Sequence, residues 1–266
     1  APSSGSVILA AVLLKVGGYG MIRFLLPITP DAGLYLNSFL IPLSLIAIIY
    51  ISFVALAQQD MKKLIAYSSV AHMGFVTLGI FLVFNTIGQA QDVQDISHIG
   101  LQGSVMQMLS HGLISAGLFI CIGIIYSRTK SRMIDDQSGI GQIMPVFSAL
   151  MMFFLLSNSG LPGTSGFVGE FMVLIAAIKN NIIYAILAST TLVLAASYSL
   201  WLGKRVLFGE VSSDIVTAMK PLRLDEFWPL LILAILVILI GIKPDILLDI
   251  SEESSLNMIK IITSKY

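Results

Sequence analysis

The chain has 266 residues, of which 56% are hydrophobic and only 11% are charged, whereas about 25% of the residues in a soluble domain carry charge. This composition excludes an ordinary soluble domain and predicts an integral membrane protein. The 15 basic and 15 acidic residues balance, so no excess of positive charge indicates nucleic-acid binding. A single cysteine, Cys121, excludes an internal disulfide and argues against a metal site built from thiolates.

Apolar stretches recur along the chain at lengths of about 20 residues, the length at which a helix crosses a bilayer. We therefore predict an all-α, polytopic membrane protein with about seven transmembrane helices in a single transmembrane domain, residues 1–242. The predicted spans are residues 4–26, 34–57, 64–84, 100–126, 143–178, 182–208 and 227–242. The C-terminal tail, residues 243–266, is consistent with a short surface helix, and we predict no chemistry for it.

The fifth span is too long for one straight helix and contains a break. Residues 157–166, with the sequence SNSGLPGTSG, include one proline and three glycines, which interrupt a helix. Unwound backbone at membrane depth is tolerated only where it is buried in protein or lines a cavity, and such broken helices recur in transporters. We predict two half-helices joined by an unwound segment near residues 160–166.

Positive charges in the loops predict the orientation of the chain in the membrane. One set of alternate loops holds nine basic residues: Lys62, Lys63, Arg128, Lys130, Arg132, Lys204, Arg205, Lys220 and Arg223. On the other side, the loop of residues 85–99 has two aspartates and neither lysine nor arginine. This pattern places Ala1 on the basic side, facing the matrix or cytoplasm, and the C-terminus on the opposite side.

Lys15 is a charged residue in the middle of the apolar first span. An ionisable group at the bilayer centre costs about 2.5–3.5 kcal/mol on insertion scales, so it persists where it faces a cavity, a partner or a functional task. The alternative is a lysine whose side chain extends to the nearest membrane surface. The long apolar flank from Ser4 to Leu14, and the uncharged residues up to Arg23, disfavour that alternative.

Polar residues also line one face of the fourth span, at spacings of three and four: Ser104, Gln107, His111 and Ser115. They predict either hydrogen bonds between helices, worth about 0.6 kcal/mol each, or a hydrated proton path. In the second case His111 is the relay, because histidine exchanges protons near neutral pH.

Two more ionisable residues lie within spans. His72 shares a face of the third span with Ser68, and it is either a packing residue or a proton site. Glu170 follows the break by four residues, where the helix dipole favours its anion and burial favours the neutral acid. Its alternative role is to cap the broken helix. Since no nucleophile triad, phosphate loop or metal-ligand cluster is evident, we expect no bond chemistry in this chain alone.

Four segments resemble subunit 4 of NADH:ubiquinone oxidoreductase, an antiporter-like subunit of respiratory complex I. They are APSSGSVILAAVLLKVGGYG at residues 1–20, DMKKLIAYSSVAHMG at 60–74, MLSHG at 108–112 and LPGTSGFVGEF at 161–171. The sister subunits 2 and 5 differ at the first segment. The resemblance implies the second half of an inverted-repeat fold, with this chain similar to helices eight to fourteen of the family.

The resemblance also implies a proton-translocating membrane-arm subunit that couples quinone reduction to proton pumping. By motif position, Lys15 matches the family's central-axis lysine, Glu170 the acidic residue of its broken helix, and His111 and His72 two of its intramembrane histidines. No cofactor is expected in this chain, whereas FMN, iron–sulfur clusters and ubiquinone are expected in other subunits. The expected membrane is the mitochondrial inner membrane, with the bacterial plasma membrane as the alternative.

The family's glutamate on helix five and lysine on helix seven have no counterpart in this sequence. A separate chain is therefore expected to supply the N-terminal half, unless the sequence is a fragment. The other expected partners are the neighbouring antiporter-like subunits 2 and 5 and lipids. Two further functions stay open from the residues alone: a subunit of an independent cation/proton antiporter, and a structural membrane scaffold.

Overall fold

The computed structural model describes residues 3–86, 92–211 and 214–264. Helices account for nearly all of these residues, and the predicted all-α fold is confirmed. Within the described ranges the extended pairing is one isolated antiparallel bridge, between Asp60 and Met133.

The helices follow one another with short connections. They are α1 (residues 3–28), α2 (Pro30–Leu56), α3 (Met61–Phe81), α4 (Asp92–Thr129), α5 (Ile140–Ile143), α6 (Pro145–Asn158), α7 (Ser165–Asn180), α8 (Ile182–Leu207), α9 (Asp214–Thr217), α10 (Leu224–Ile242) and α11 (Asp245–Thr263). Local capping explains where some of them begin. The Asp60 carboxylate accepts hydrogen bonds from the backbone N–H groups of Lys62 and Lys63, which starts α3.

Among the described residues, six helices are long and apolar enough to cross a membrane: α1, α2, α3, α4, α8 and α10. The predicted fifth span consists of two half-helices, α6 and α7, which are separated by residues 159–164. The predicted discontinuous helix is therefore confirmed. Gly160 and Gly163 in this segment have φ values of 77° and 88°, which glycine adopts without the strain that a Cβ atom causes.

The spans differ strongly in how deeply they are buried. Helices α3 and α4 lie in the interior, whereas α1 exposes most of its surface. Helix α1 is also irregular, because two π-helical segments, Ile8–Leu13 and Met21–Leu25, flank the α-helical segment that carries Lys15. Such π-helical turns often occur at functional sites, where they change the direction of nearby side chains and carbonyl groups.

The C-terminal tail forms a longer and better-packed helix than the short surface helix that the sequence suggested. Met258, Ile259 and Ile262 of α11 are buried in the same apolar cluster as Phe75 of α3. In addition, Gln102 of α4 donates a hydrogen bond to the Leu248 carbonyl, over 3.3 Å. The tail helix therefore contributes to the core, because one of its faces is apolar while the other carries charges.

Arg128, at the end of α4, holds the chain segment that precedes α10. Its guanidinium donates to the carbonyl oxygens of Lys220 and Pro221, over 2.9 and 3.1 Å. It also forms an ion pair with Glu226 in the first turn of α10, with a nitrogen–oxygen distance of 2.7 Å. These contacts hold the N-terminal end of α10 against the C-terminal end of α4.

Candidate functional site

Lys15 is half-buried where α1 packs against α4, and it contacts His111 there. The Lys15 ammonium nitrogen lies 2.7 Å from His111 Nδ1, and it also donates to the carbonyl oxygen of Ala10. Ala10 lies five positions before Lys15, within the first π-helical segment. The Ala10 carbonyl in this π-helical segment thus helps to hold the Lys15 side chain toward α4.

The two predicted histidines lie beside each other although they come from different helices. The ring centroids of His72 on α3 and His111 on α4 are 5.5 Å apart, and the rings are tilted by 40°. Each residue is only 3% exposed. Among the described residues, His111 Nε2 has no hydrogen-bond partner, so this ring keeps one nitrogen available for exchange with a water molecule or a neighbouring ring.

His72 in turn contacts Glu170. The distance between His72 Nδ1 and Glu170 Oε1 is 2.6 Å, and the Gln107 amide donates to the same carboxylate oxygen over 2.9 Å. On the other side of the ring, the Tyr198 hydroxyl lies 3.1 Å from His72 Nε2. A neutral imidazole has one donor and one acceptor nitrogen. When Nδ1–H donates to the Glu170 anion, Nε2 therefore accepts from Tyr198.

A close approach between α7 and α4 brings Glu170 to this position. A Cβ atom on Gly169 would lie 2.6 Å from the Gln107 backbone nitrogen, which is far inside van der Waals contact. The absence of a side chain at Gly169 lets the two helices touch. The Gln107 side chain then reaches the carboxylate of Glu170, the residue after Gly169. Glu170 is only 3% exposed as a result.

We call Lys15, His111, His72 and Glu170, in that order, the ionisable row. It crosses four helices, α1, α4, α3 and α7, and every member can bind or release a proton. The sequence named these four residues but not their order, since His72 lies between His111 and Glu170. Sequence reasoning missed Tyr198 entirely, because a tyrosine in an apolar span is equally typical of helix packing, and only the fold brings its hydroxyl to His72.

The remaining polar residues of the predicted stripe on α4 have backbone partners. Ser104 donates to the carbonyl oxygens of Val76 and Gly100, and Ser115 lies 3.3 Å from that of Gly112. These contacts are typical of helix packing. Within the described part of the chain, no group of three or more His, Cys, Asp or Glu side chains is arranged to hold a metal ion.

Comparison with known proteins assigns the family. Residues 1–195 match the family model described as "NADH:quinone oxidoreductase/Mrp antiporter, TM". The chain belongs to this family. The resemblance inferred from the four sequence segments is thereby confirmed. All four residues of the ionisable row lie within the matched residues, whereas Tyr198 lies three positions beyond them.

Two individual relatives are similar in sequence to nearly the whole of this chain. The chain is 44% identical over 263 residues to NADH-ubiquinone oxidoreductase chain 4 of Chondrus crispus, covering 99% of this chain and 51% of that one. It is 44% identical over 260 residues to NADH-quinone oxidoreductase subunit M of Rhodobacter capsulatus, covering 98% of this chain and 48% of that one. The chain spans about half the length of the relatives it matches.

Solved structures contain the same fold. The structure of respiratory complex I from Thermus thermophilus with bound NADH includes a chain that superimposes with a TM-score of 0.83 and 28% identity. The match covers 94% of this chain and 50% of that one. The arrangement of the helices is therefore that of an antiporter-like subunit.

Proposed function

We propose that this chain is a proton-translocating, non-redox subunit in the membrane arm of an NADH:quinone oxidoreductase. In this proposal the ionisable row carries the proton-coupled step, and quinone reduction in other subunits drives it. The observation that carries the proposal is the order of the row, with contacts of 2.7 Å between Lys15 and His111 and 2.6 Å between His72 and Glu170, and 5.5 Å between the centroids of the two histidine rings.

Electrostatic coupling along the row supplies a mechanism. Two unit charges about 10 Å apart, at an effective dielectric near 20, interact by about 1.7 kcal/mol. That energy exceeds the roughly 1.4 kcal/mol that changes a protonation equilibrium tenfold. A change of charge near Lys15, caused by quinone reduction elsewhere in the complex, therefore alters how readily Glu170 binds its proton.

Proton movement follows the contacts in order. Lys15 transfers a proton to His111 Nδ1, and His111 releases the proton on its Nε2. His72 passes its Nδ1 proton to Glu170 as its own Nε2 takes up a proton, so the ring stays neutral, and the Tyr198 hydroxyl has to turn away from Nε2 for this transfer. Between the two rings, His111 Nε2 has no partner among the described side chains, so a water molecule or a ring rotation has to complete this step. Moving a proton against the membrane potential requires about 2.3 kcal/mol per 100 mV, so several coupled steps of this size are needed.

The proposal assigns the redox chemistry to other chains. FMN, iron–sulfur clusters and ubiquinone belong to those subunits, and the partners of this chain are membrane-arm subunits, including neighbours of the antiporter-like type. Helix α1 is the least buried of the six spans although it carries Lys15, and because an ionisable residue is costly on a helix that faces lipid, this supports packing against further chains. The membrane is the mitochondrial inner membrane or a bacterial plasma membrane, with the basic loops toward the matrix or cytoplasm.

The family description also covers Mrp antiporters, so an ion-exchange function is the second candidate. The ionisable row serves either function, because both need a proton site within the membrane. The two candidates differ in the subunits that accompany this chain, since only the oxidoreductase copurifies with subunits that contain flavin and oxidise NADH. A complex that contains antiporter subunits alone, and that exchanges cations for protons, would support the second candidate.

The test uses the assembled complex in sealed vesicles, where NADH oxidation and proton uptake are measured together. Lys15→Met and Glu170→Gln remove the two ends of the row, and Lys63→Met, an exposed residue at the start of α3, is the matched control. We expect the ratio of protons to electrons to fall in both row variants and to stay normal in the control. Normal ratios in both row variants would overturn the proposal.

A further inference from the structure

A cavity of about 490 Å³ opens on the surface where α6 begins and α8 ends. Its walls are mainly apolar, and include Pro145, Ala149, Met152, Leu207 and Phe208. None of these residues takes part in the ionisable row, so the proton relay does not account for the cavity. Its apolar lining suits a hydrocarbon chain.

Phe208 also lines a second cavity, of about 300 Å³, that adjoins the first one. This second cavity is lined by Lys204, Arg205 and Asp135. Arg205 is already engaged, since it pairs with Asp135 and its guanidinium lies 4.4 Å from the centre of the Trp201 ring. Lys204 is exposed and has no ion pair among the described residues, so the three charged side chains that line the second cavity, Lys204, Arg205 and Asp135, sum to one positive charge.

A buried hydroxyl in the apolar cavity also lacks a partner. Ser148 is only 9% exposed, it lines the cavity, and its Oγ has no hydrogen bond within the described part of the chain. Buried polar groups in proteins nearly always find a partner. Because the hydroxyls of Ser110, Ser165 and Thr191 are also buried without one among the described residues, Ser148 supports a ligand only together with the cavity that it lines and the charge of Lys204.

The position of the groove agrees with its chemistry. It lies at the basic end of α8, where Trp201 and Arg205 stack, and tryptophan and basic residues are enriched at the membrane–water interface. Basic pockets between transmembrane helices on the cytoplasmic or matrix side bind anionic lipid headgroups. A zwitterionic headgroup would place a second cation beside Lys204, which disfavours it.

We propose that this groove is a binding site for an anionic phospholipid. One acyl chain occupies the apolar cavity beside Ala149 and Phe208, an ester carbonyl accepts a hydrogen bond from Ser148, and the phosphate lies next to Lys204. The lipid thereby supplies both the acceptor and the negative charge that the protein leaves unmatched. This site is separate from the ionisable row and does not depend on the proposed proton translocation.

Tryptophan fluorescence tests the site within the full chain. The sequence has two tryptophans, and Trp228→Phe leaves Trp201, one turn from Arg205, as the reporter. The chain is placed in phosphatidylcholine vesicles that contain a small fraction of phospholipid with brominated acyl chains, which quench tryptophan on contact. We expect brominated phosphatidylglycerol to quench at a concentration about fivefold lower than brominated phosphatidylcholine, the preference that one lysine near the surface provides.

Two pairs of variants separate the headgroup contact from the cavity. Lys204→Gln should abolish the preference for phosphatidylglycerol, whereas Lys63→Gln, on another exposed part of the basic side, should keep it. Ala149→Phe fills the cavity and should also abolish the preference, whereas Val146→Phe, an exposed neighbour outside the cavity, should not. Equal quenching by the two lipids in the starting protein, or an unchanged preference in Lys204→Gln, would overturn the proposal.

Discussion

His72 Nδ1 lies 2.6 Å from Glu170 Oε1, and this contact joins two residues that are 98 positions apart in the chain. The sequence suggested His111 as the relay of a proton path and left His72 as either a packing residue or a proton site. The geometry instead makes His72 the direct neighbour of the carboxylate and places His111 beside the lysine. Each histidine therefore has its own contact in the row, and the two can be tested separately.

Replacing His72 should separate Glu170 from the rest of the row. In His72→Phe the carboxylate keeps Gln107 as a donor but loses its titratable neighbour. We expect proton translocation to be lost while NADH oxidation continues at a reduced rate, measured in sealed vesicles with a pH-sensitive dye. His98→Phe is the control, because 13 positions along α4 place His98 about 20 Å from His111. Equal translocation in the two variants would contradict a role for His72.

Removing the Tyr198 hydroxyl should weaken the row without interrupting it. Tyr198→Phe leaves His72 Nε2 buried and unpaired, and an unpaired buried polar group costs about 1–3 kcal/mol. We expect lower thermal stability of the solubilised complex and a changed pH profile of translocation, because the tautomer of His72 is no longer fixed from that side. Tyr184→Phe, on the same helix, is the matched control. A normal pH profile with only lowered stability would restrict Tyr198 to a structural role.

The sequence predicted those features that one segment determines alone. Lys15 is evident because a charge in an apolar span is costly, and the break near Gly160 is evident because glycine and proline interrupt a helix. The contact of Tyr198 with His72 is different, since it depends on how α8 packs against α3. Periodicity within a single helix carries no information about that packing.

The tail illustrates the same limit. The sequence showed charges at Glu252 and Glu253 and suggested a helix at the surface. It did not show that Met258 and Ile262 pack into the core with residues of α3, because the apolar face of one helix does not identify the partner that covers it.

Arg128 should contribute to stability rather than to translocation. Its pair with Glu226 is largely buried, with side chains 9% and 19% exposed, and it also holds the carbonyls of Lys220 and Pro221. Arg128→Gln should lower the stability of the fold by about 1–3 kcal/mol, the cost of leaving such groups unpaired. The measurement is thermal unfolding of the solubilised chain.

The matched control for Arg128 is an exposed ion pair on the same side of the fold. Arg223 pairs with Asp225, but both side chains are more than half exposed, and exposed pairs contribute about 0–1 kcal/mol. Arg223→Gln should therefore change the unfolding temperature little. A normal ratio of protons to electrons is expected in both variants, since neither arginine contacts the ionisable row.

The close packing of α7 against α4 at Gly169 should be needed for proton translocation by the ionisable row. A methyl group at this position meets the Gln107 backbone, so Gly169→Ala forces α7 away from α4 and lengthens the hydrogen bond from Gln107 to Glu170. Overpacking of this kind costs about 1–3 kcal/mol, and we expect translocation to fall although every ionisable group is still present.

The control for Gly169 is Gly20→Ala in the solubilised chain, because no atom of this chain lies within 4 Å of a Cβ atom built at Gly20. Alanine is favoured over glycine inside a helix by about 0.5–1 kcal/mol, so this variant should be as stable as the starting protein or more so. Thermal unfolding of the solubilised chain is measured for both variants, and the ratio of protons to electrons in the complex is measured for Gly169→Ala against the unchanged protein. Because Gly169 has no ionisable side chain, reduced translocation in Gly169→Ala would show that Glu170 has to be held against α4 to function. Unchanged translocation despite lowered stability would mean that the carboxylate works without Gln107.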